Sequence, residues 1–201
     1  MHLGDHRLGY LAPAPAHPQV DLHLAGEALV AGLALGVVPP DGGLVLVAHV
    51  VVAARGADVV PATIAGLDLV KTFDGVLLSS HLFNTADDCT RHAIVSAASR
   101  HVADDGRLVV QWHTPDWLDR AADGGGGVAG NVRIELSDVH RDGDLLSATV
   151  LYWAGEDVWT QTFTARRISE AVLPSELAAV GLAFDGWLTP DHAWFAARPG
   201  R

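Results

Sequence analysis

Phe73-Asp-Gly-Val-Leu-Leu-Ser-Ser-His-Leu-Phe-Asn-Thr85 decides how the rest of the chain is read. A short apolar strand, Phe73 to Leu78, runs straight into small polar residues and an imidazole. In α/β folds, ligands are held where strands end at the sheet edge. Asp87 to Val102 follows at helical spacing, then Asp-Asp-Gly as a turn, then a second apolar run, Arg107-Leu-Val-Val-Gln-Trp-His113. Strand, helix, strand, with a crossover long enough for parallel pairing, makes a βαβ unit.

Working outward, residues 1–18 carry Pro13, Pro15 and Pro18 without a sustained period, which predicts an irregular arm ahead of a single domain over 19–201. Val20-Asp-Leu-His-Leu24 alternates as a strand, and Glu27 to Leu35 sets Leu and Val at helical spacing up to Gly36. Val37-Val38 is a brief strand before Pro-Pro-Asp-Gly-Gly. Leu44 to Arg55 is apolar almost all round; its valines would suit a strand, but Ala48, Ala53, Ala54 and Arg55 leading into the stop at Gly56 predict a helix. Asp58 to Ile64 reads as a further strand. Downstream, four consecutive glycines make Asp123 to Gly130 a flexible loop. Val132 to His140, Leu145 to Trp153 and Trp159 to Ala165 are β-rich runs separated by Arg-Asp-Gly-Asp and Ala-Gly-Glu-Asp, which are hairpin signals. Ser169 opens a helix carried through Val180 and stopped by Gly181, and Leu182 to Leu188 and Ala193 to Ala197 close the chain. The expected architecture is α/β: a doubly wound, Rossmann-like, mostly parallel sheet with a C-terminal antiparallel β addition.

Composition narrows the function. The chain has 201 residues, enough for one well-buried domain. Hydrophobic content of 49% and charged content of 18% exclude global disorder. A net charge of -11 without any Lys/Arg cluster argues against nucleic acid as a partner. Arg166-Arg167 is the sole basic pair and reads as a solvated helix start. One cysteine, Cys89, rules out an internal disulfide and fits a reducing, cytoplasmic compartment. At the first turn of a helix its thiol pKa can fall, although a plain helix residue is the simpler account. No signal-peptide pattern is expected, and the apolar runs near Ala28 to Pro40 and Leu44 to Ala54 are interrupted by Gly32, Gly36 and His49, so no membrane span is expected.

From Phe73 to Trp117, Phe-Asp-Gly-Val-Leu-Leu and Gly-Arg-Leu-Val-Val resemble the fourth and fifth strands of class I S-adenosylmethionine-dependent methyltransferases. Asp138-Val-His-Arg-Asp-Gly-Asp, Trp159-Thr-Gln-Thr-Phe-Thr-Ala-Arg166, Trp187 and Trp194-Phe-Ala-Ala-Arg198 are similar to the tail of small bacterial members. The resemblance covers roughly 20–198 and implies S-adenosylmethionine as cofactor and a small-molecule methyl acceptor. In that family the first strand ends in an acidic residue and a glycine-rich turn, where a Cβ would block the cofactor. Asp21 matches the acidic position and Gly26 the last glycine with one residue missing, while His23 and Ala25 stand where the other glycines belong. The resemblance further implies Asp41 as the ribose carboxylate, at a spacing shared with dinucleotide-binding folds, and Thr63 and Ile64 near the adenine. It sets Ser79, Ser80 and His81 beside the transferable methyl.

Methyl transfer requires an aligned acceptor and, for some acceptors, a base. His81 and His113 each follow a strand at the ligand-holding edge and are the candidate catalytic bases; either could instead fix a loop. Trp112, Trp117 and Trp153 suit an acceptor pocket or ordinary packing. The eleven histidines are dispersed, with His2 and His6 the only helical-spaced pair, so no metal site is expected. A Gly-x-Ser-x-Gly elbow and a phosphate loop are both absent. Two other readings stay open. One is a methyltransferase-fold protein that has lost its cofactor and serves as a binding or partner subunit, favoured by His23, Ala25 and Thr63. The other is a nicotinamide-dependent oxidoreductase, which shares Asp41 but lacks Gly-x-Gly-x-x-G and a Tyr-Lys pair.

Overall fold

The computed structural model describes residues 28–31, as backbone, and 67–200. Two sheets make up this part of the chain. The first has five strands in the order Ala28–Ala31, Phe73–Leu78, Val102–Gln111, Trp194–Pro199, Leu182–Trp187, and the second has four in the order Gly126–Ala129, Val132–Asp142, Leu145–Ala154, Asp157–Arg166. Strands β1 (Ala28–Ala31), β2 (Phe73–Leu78) and β3 (Val102–Gln111) pair in parallel. Between β2 and β3 runs α1 (Asp88–Arg100), so the βαβ unit predicted from the polar burst is present. Asp87 caps α1, its carboxylate accepting the Thr90 main-chain N–H at 2.7 Å. Ile94, Val95 and Ala98 on one face of α1 meet Val76, Leu78, Leu108 and Val110 of the sheet, all buried. Truncating one such core residue to alanine costs about 2–5 kcal/mol.

Two expectations near this unit are corrected. Ala28–Ala31 lies within the stretch expected as a helix but forms a strand beside β2; its Ala and Leu content permits a helix, and sheet pairing overrides that weak local preference. Asp104-Asp105-Gly106, expected as a turn before β3, is a bulge inside it, because Phe73 pairs with Val102 and Gly75 with Arg107. Glycine is needed there: a Cβ on Gly106 would stand 2.8 Å from the Phe73 carbonyl oxygen.

The mostly parallel sheet is also corrected. Among the described strand pairs two are parallel and five antiparallel, so the five-stranded sheet is mixed and the second sheet is wholly antiparallel. Strands β8 (Leu182–Trp187) and β9 (Trp194–Pro199) form a hairpin, which sets β9 antiparallel between β3 and β8. A short helix (Leu173–Ala178) buries Leu173 and Leu177 against the core.

The second sheet is a meander of β4 (Gly126–Ala129), β5 (Val132–Asp142), β6 (Leu145–Ala154) and β7 (Asp157–Arg166). Gly130, Gly143 and Gly155, at φ 62°, 56° and 64°, open its three tight turns, where a side chain would be strained. The four-glycine stretch expected as a flexible loop thus contributes an edge strand, held by main-chain pairing to β5. Helix α2 (Pro115–Arg120) packs Leu118 onto Leu136, Leu146 and Ala148 of this sheet. Arg141 donates to the carbonyls of Leu118, Asp119 and Ala121, satisfying the end of α2. The expected arm over 1–18, strands over Val20 to Leu24, Val37-Val38 and Asp58 to Ile64, and helix over Leu44 to Arg55 lie outside the described residues.

Candidate functional site

Strand β2 ends at Leu78, which is fully buried, and the chain turns at once. Ser80 (φ 60°) and His81 (φ 55°) are successive non-glycine residues in the left-handed region. Each such residue costs on the order of 1–3 kcal/mol and persists where surrounding contacts over-determine it, which is common at functional sites. The contacts are specific here. Ser80 N–H donates to Gln111 Oε1 at 3.0 Å, at the end of the neighbouring strand β3. The His81 carbonyl accepts Asn84 N–H at 2.9 Å, closing the 3-10 turn Leu82–Asn84.

This turn brings His81 face to face with His113. The ring centroids are 3.6 Å apart and 9° from parallel. On its other side His113 stacks on Trp117 at 3.8 Å and 12°, and Phe163 of β7 lies tilted at 6.1 Å. Thr114 caps α2, its hydroxyl accepting Trp117 N–H at 3.2 Å, and so fixes the indole that ends the stack. Three planar rings, from the turn after β2, the segment after β3 and the first turn of α2, therefore share one column at the carboxyl edge of the parallel strands.

Both imidazoles keep part of their surface open. Burial of the remainder pushes His81 down to about 4, opposed in part by a hydrogen bond to the Trp112 main chain. Burial also holds His113 well below the ordinary imidazole value, and the His81 ring beside it adds to the effect. Both rings are uncharged near neutral pH. His81 Nδ1 is buried and has no hydrogen-bond partner among the described residues.

Of the residues singled out in the sequence, Ser79, Ser80, His81 and His113 converge on this edge. Asp21, Gly26, Asp41, Thr63 and Ile64 lie outside the described residues. The tryptophans part company. Trp117 joins the stack, whereas Trp112 is buried against Phe83, Phe195 and Trp187, its Nε1 donating to the His192 carbonyl at 2.7 Å. Trp153 sits on the second sheet beneath the Arg133 guanidinium, 4.7 Å from the ring centroid. A concavity of about 300 Å³ beside Ser147 and Thr162 shares Phe163 with the stack, and one of about 580 Å³ beside Asp104 and Arg198 shares no lining residue with it. Among the described residues no group of His, Cys, Asp and Glu could hold a metal ion, and no helix is long and apolar enough to cross a membrane.

Sequence reasoning missed two amide side chains that tie this edge together. Gln111 reaches from β3 to the Ser80 turn, and Asn84 reaches from that turn to the main chain of His113. A polar residue within Leu-Phe-Asn-Thr reads as part of an exposed turn, and only the fold shows Asn84 to be 1% exposed.

No protein-family model matches the chain, and no curated protein matches it. Solved structures share its fold. An S-adenosylmethionine-dependent methyltransferase from Clostridium acetobutylicum superposes with a TM-score of 0.62 at 14% identity, over 78% of this chain and 72% of that one. DesVI of Streptomyces venezuelae gives 0.58 at 17%, over 78% and 71%. The sugar N-methyltransferase KedS8 of Streptoalloteichus sp. gives 0.53 at 22%, over 75% and 67%. The chain has the fold of S-adenosylmethionine-dependent methyltransferases.

Proposed function

We propose that this chain is an S-adenosylmethionine-dependent methyltransferase acting on a small-molecule acceptor. The observation that carries the reading is the strained Ser80-His81 turn, which sets an uncharged ring column at the carboxyl edge of parallel strands. A fold shared with enzymes of this chemistry, one of them a sugar N-methyltransferase, supports it. The residues fit the cofactor in kind: an edge without a fixed positive charge among its rings tolerates a sulfonium, whose charge aromatic faces attract.

In this reading Asp21, Gly26, Asp41, Thr63 and Ile64 hold the cofactor, and Ser79 and Ser80 border the reacting group. When bound, S-adenosylmethionine supplies a methyl group activated on sulfonium sulfur. His81, wholly in its basic form at pH 7 and partly open at the surface, accepts a hydrogen bond from the acceptor's N–H or O–H and orients the attacking lone pair. His113 backs the His81 ring and keeps it from turning. Trp117 and Phe163 supply apolar walls that exclude water.

Calorimetric titration with S-adenosylmethionine and S-adenosylhomocysteine tests the reading. Saturable binding is expected, weakened strongly by Asp41→Ala because the ribose loses a charged acceptor. Absence of both heat and thermal shift at millimolar ligand would overturn it. Binding without methyl transfer to any small-molecule amine or hydroxyl would favour a non-catalytic, ligand-binding partner subunit.

A further inference from the structure

Asn84 holds three main-chain groups at once. Its Oδ1 accepts His113 N–H at 2.6 Å, and its Nδ2 donates to the carbonyls of His113 at 3.0 Å and Arg166 at 3.1 Å. These partners fix which end of the amide is oxygen, since an N–H requires an acceptor and a carbonyl a donor. His113 follows the end of β3 and Arg166 is the last residue of β7, so one buried side chain joins both sheets to the β2 turn. Nearby contacts reinforce the junction: Thr85 forms a β-bridge with Ala165, and Arg166 Nε donates to the Ala86 carbonyl at 2.9 Å. Gln111 makes the reciprocal link from β3 back to Ser80. The loops carrying His81 and His113 thus each receive an amide side chain from the other strand's end.

A side chain that merely filled space here would not need paired donors and an acceptor in this register. Two hydrogen bonds to a single residue's N–H and C=O leave its main chain almost no freedom to rotate, and the ring of His113 inherits that restraint. Among the described residues the ionisable group acting on His113 is His81. Burial is the larger cause at both rings, so the state of each depends on how far a tightly held column keeps water out, and that of His113 also on the ring beside it.

We propose that Asn84 is a positioning residue: it seats the His113 ring against His81 and ties that seat to the end of β7, so that the four-stranded sheet and the ring column are set relative to one another by one amide. The effect on turnover rests on the methyltransferase reading; the effect on the rings does not.

The test is an NMR titration of the His81 and His113 ring protons in wild type, Asn84→Ala and Asn84→Gln. Leu177→Ala, a core truncation that removes none of the amide's hydrogen bonds, serves as the control for lost stability. The expected result is an upward move of both midpoints toward the ordinary imidazole range in the Asn84 variants and none in the control. Asn84→Gln keeps an amide one methylene too long and gives the answer if Asn84→Ala does not fold. Unchanged midpoints in a folded Asn84 variant, or an equal move in the control, would overturn the proposal. In an active enzyme kcat is expected to fall about 10-fold to 100-fold with the cofactor Kd unchanged. Moved midpoints in a protein that binds no S-adenosylmethionine would refute the methyltransferase reading and leave the positioning role standing.

Discussion

His81 and His113 stack ring on ring, with centroids 3.6 Å apart. Two imidazolium charges at that distance would repel by about 5 kcal/mol even at an effective dielectric near 20. The column is compatible with two neutral rings and opposes a second charge, and burial opposes the first. Neutrality of this pair is a property of the fold and does not wait on a ligand.

Stability should fall in acid for that reason. A His81 pKa of about 4 in the folded chain against 6.5 in the unfolded one means that between those values only the unfolded chain takes the proton. Stability from the neutral ring is fully present above pH 6.5 and is lost as pH falls toward 4, with a slope of up to about 1.4 kcal/mol per pH unit. His113 adds in the same direction. Urea unfolding from pH 7.5 to 4.5 should show the decline, and the double variant His81→Phe/His113→Phe should flatten it. An equally steep decline in the variant would assign the effect to other groups.

The two histidines are expected to differ in activity. His81→Phe keeps a ring in the column but removes its basic nitrogens, and kcat should drop by about 100-fold or more, within the range for positioned proton-handling groups. His113→Phe keeps the packing around Trp117 and should cost less than about tenfold. Steady-state kinetics with cofactor binding measured in parallel separates the effects. A larger loss in His113→Phe would exchange the two roles.

Two arginines near α2 give a contrast in stability. Arg141 satisfies carbonyls at the end of the helix, so Arg141→Ala should cost about 1–2 kcal/mol. Arg167 pairs with Asp119 at 2.7 and 2.9 Å, but both side chains are largely in solvent, and Arg167→Ala should cost less than about 1 kcal/mol. Chemical denaturation of the two variants would show the order, and the reverse order would deny Arg141 its capping role.

The βαβ unit and the meander were legible because their signals are local: Asp87 caps α1, and a glycine opens each tight turn. Strand direction was not, since an apolar run such as Trp194–Pro199 reads alike in both directions and β9 is set antiparallel by its hairpin with β8. Gly126–Ala129 was read as a loop because glycine has little intrinsic β preference, and its partner β5 supplies the order. At the site the histidines could be found from their place after strands. Asn84 could not, because nothing in Leu-Phe-Asn-Thr says that its side chain turns inward to meet the main chain of His113.

The meander has a kinetic consequence. Its strands meet through tight turns between neighbours in sequence, whereas β3 meets β9 only when Val110 finds Phe195. If β5, β6 and β7 zip first, the ends of the meander are brought close by their own pairing, and the loop left to close before β9 enters the sheet is far shorter. Pulse-labelled hydrogen exchange during refolding should then protect β6 amides ahead of those in β9. Simultaneous protection would mean that the meander waits for the larger sheet.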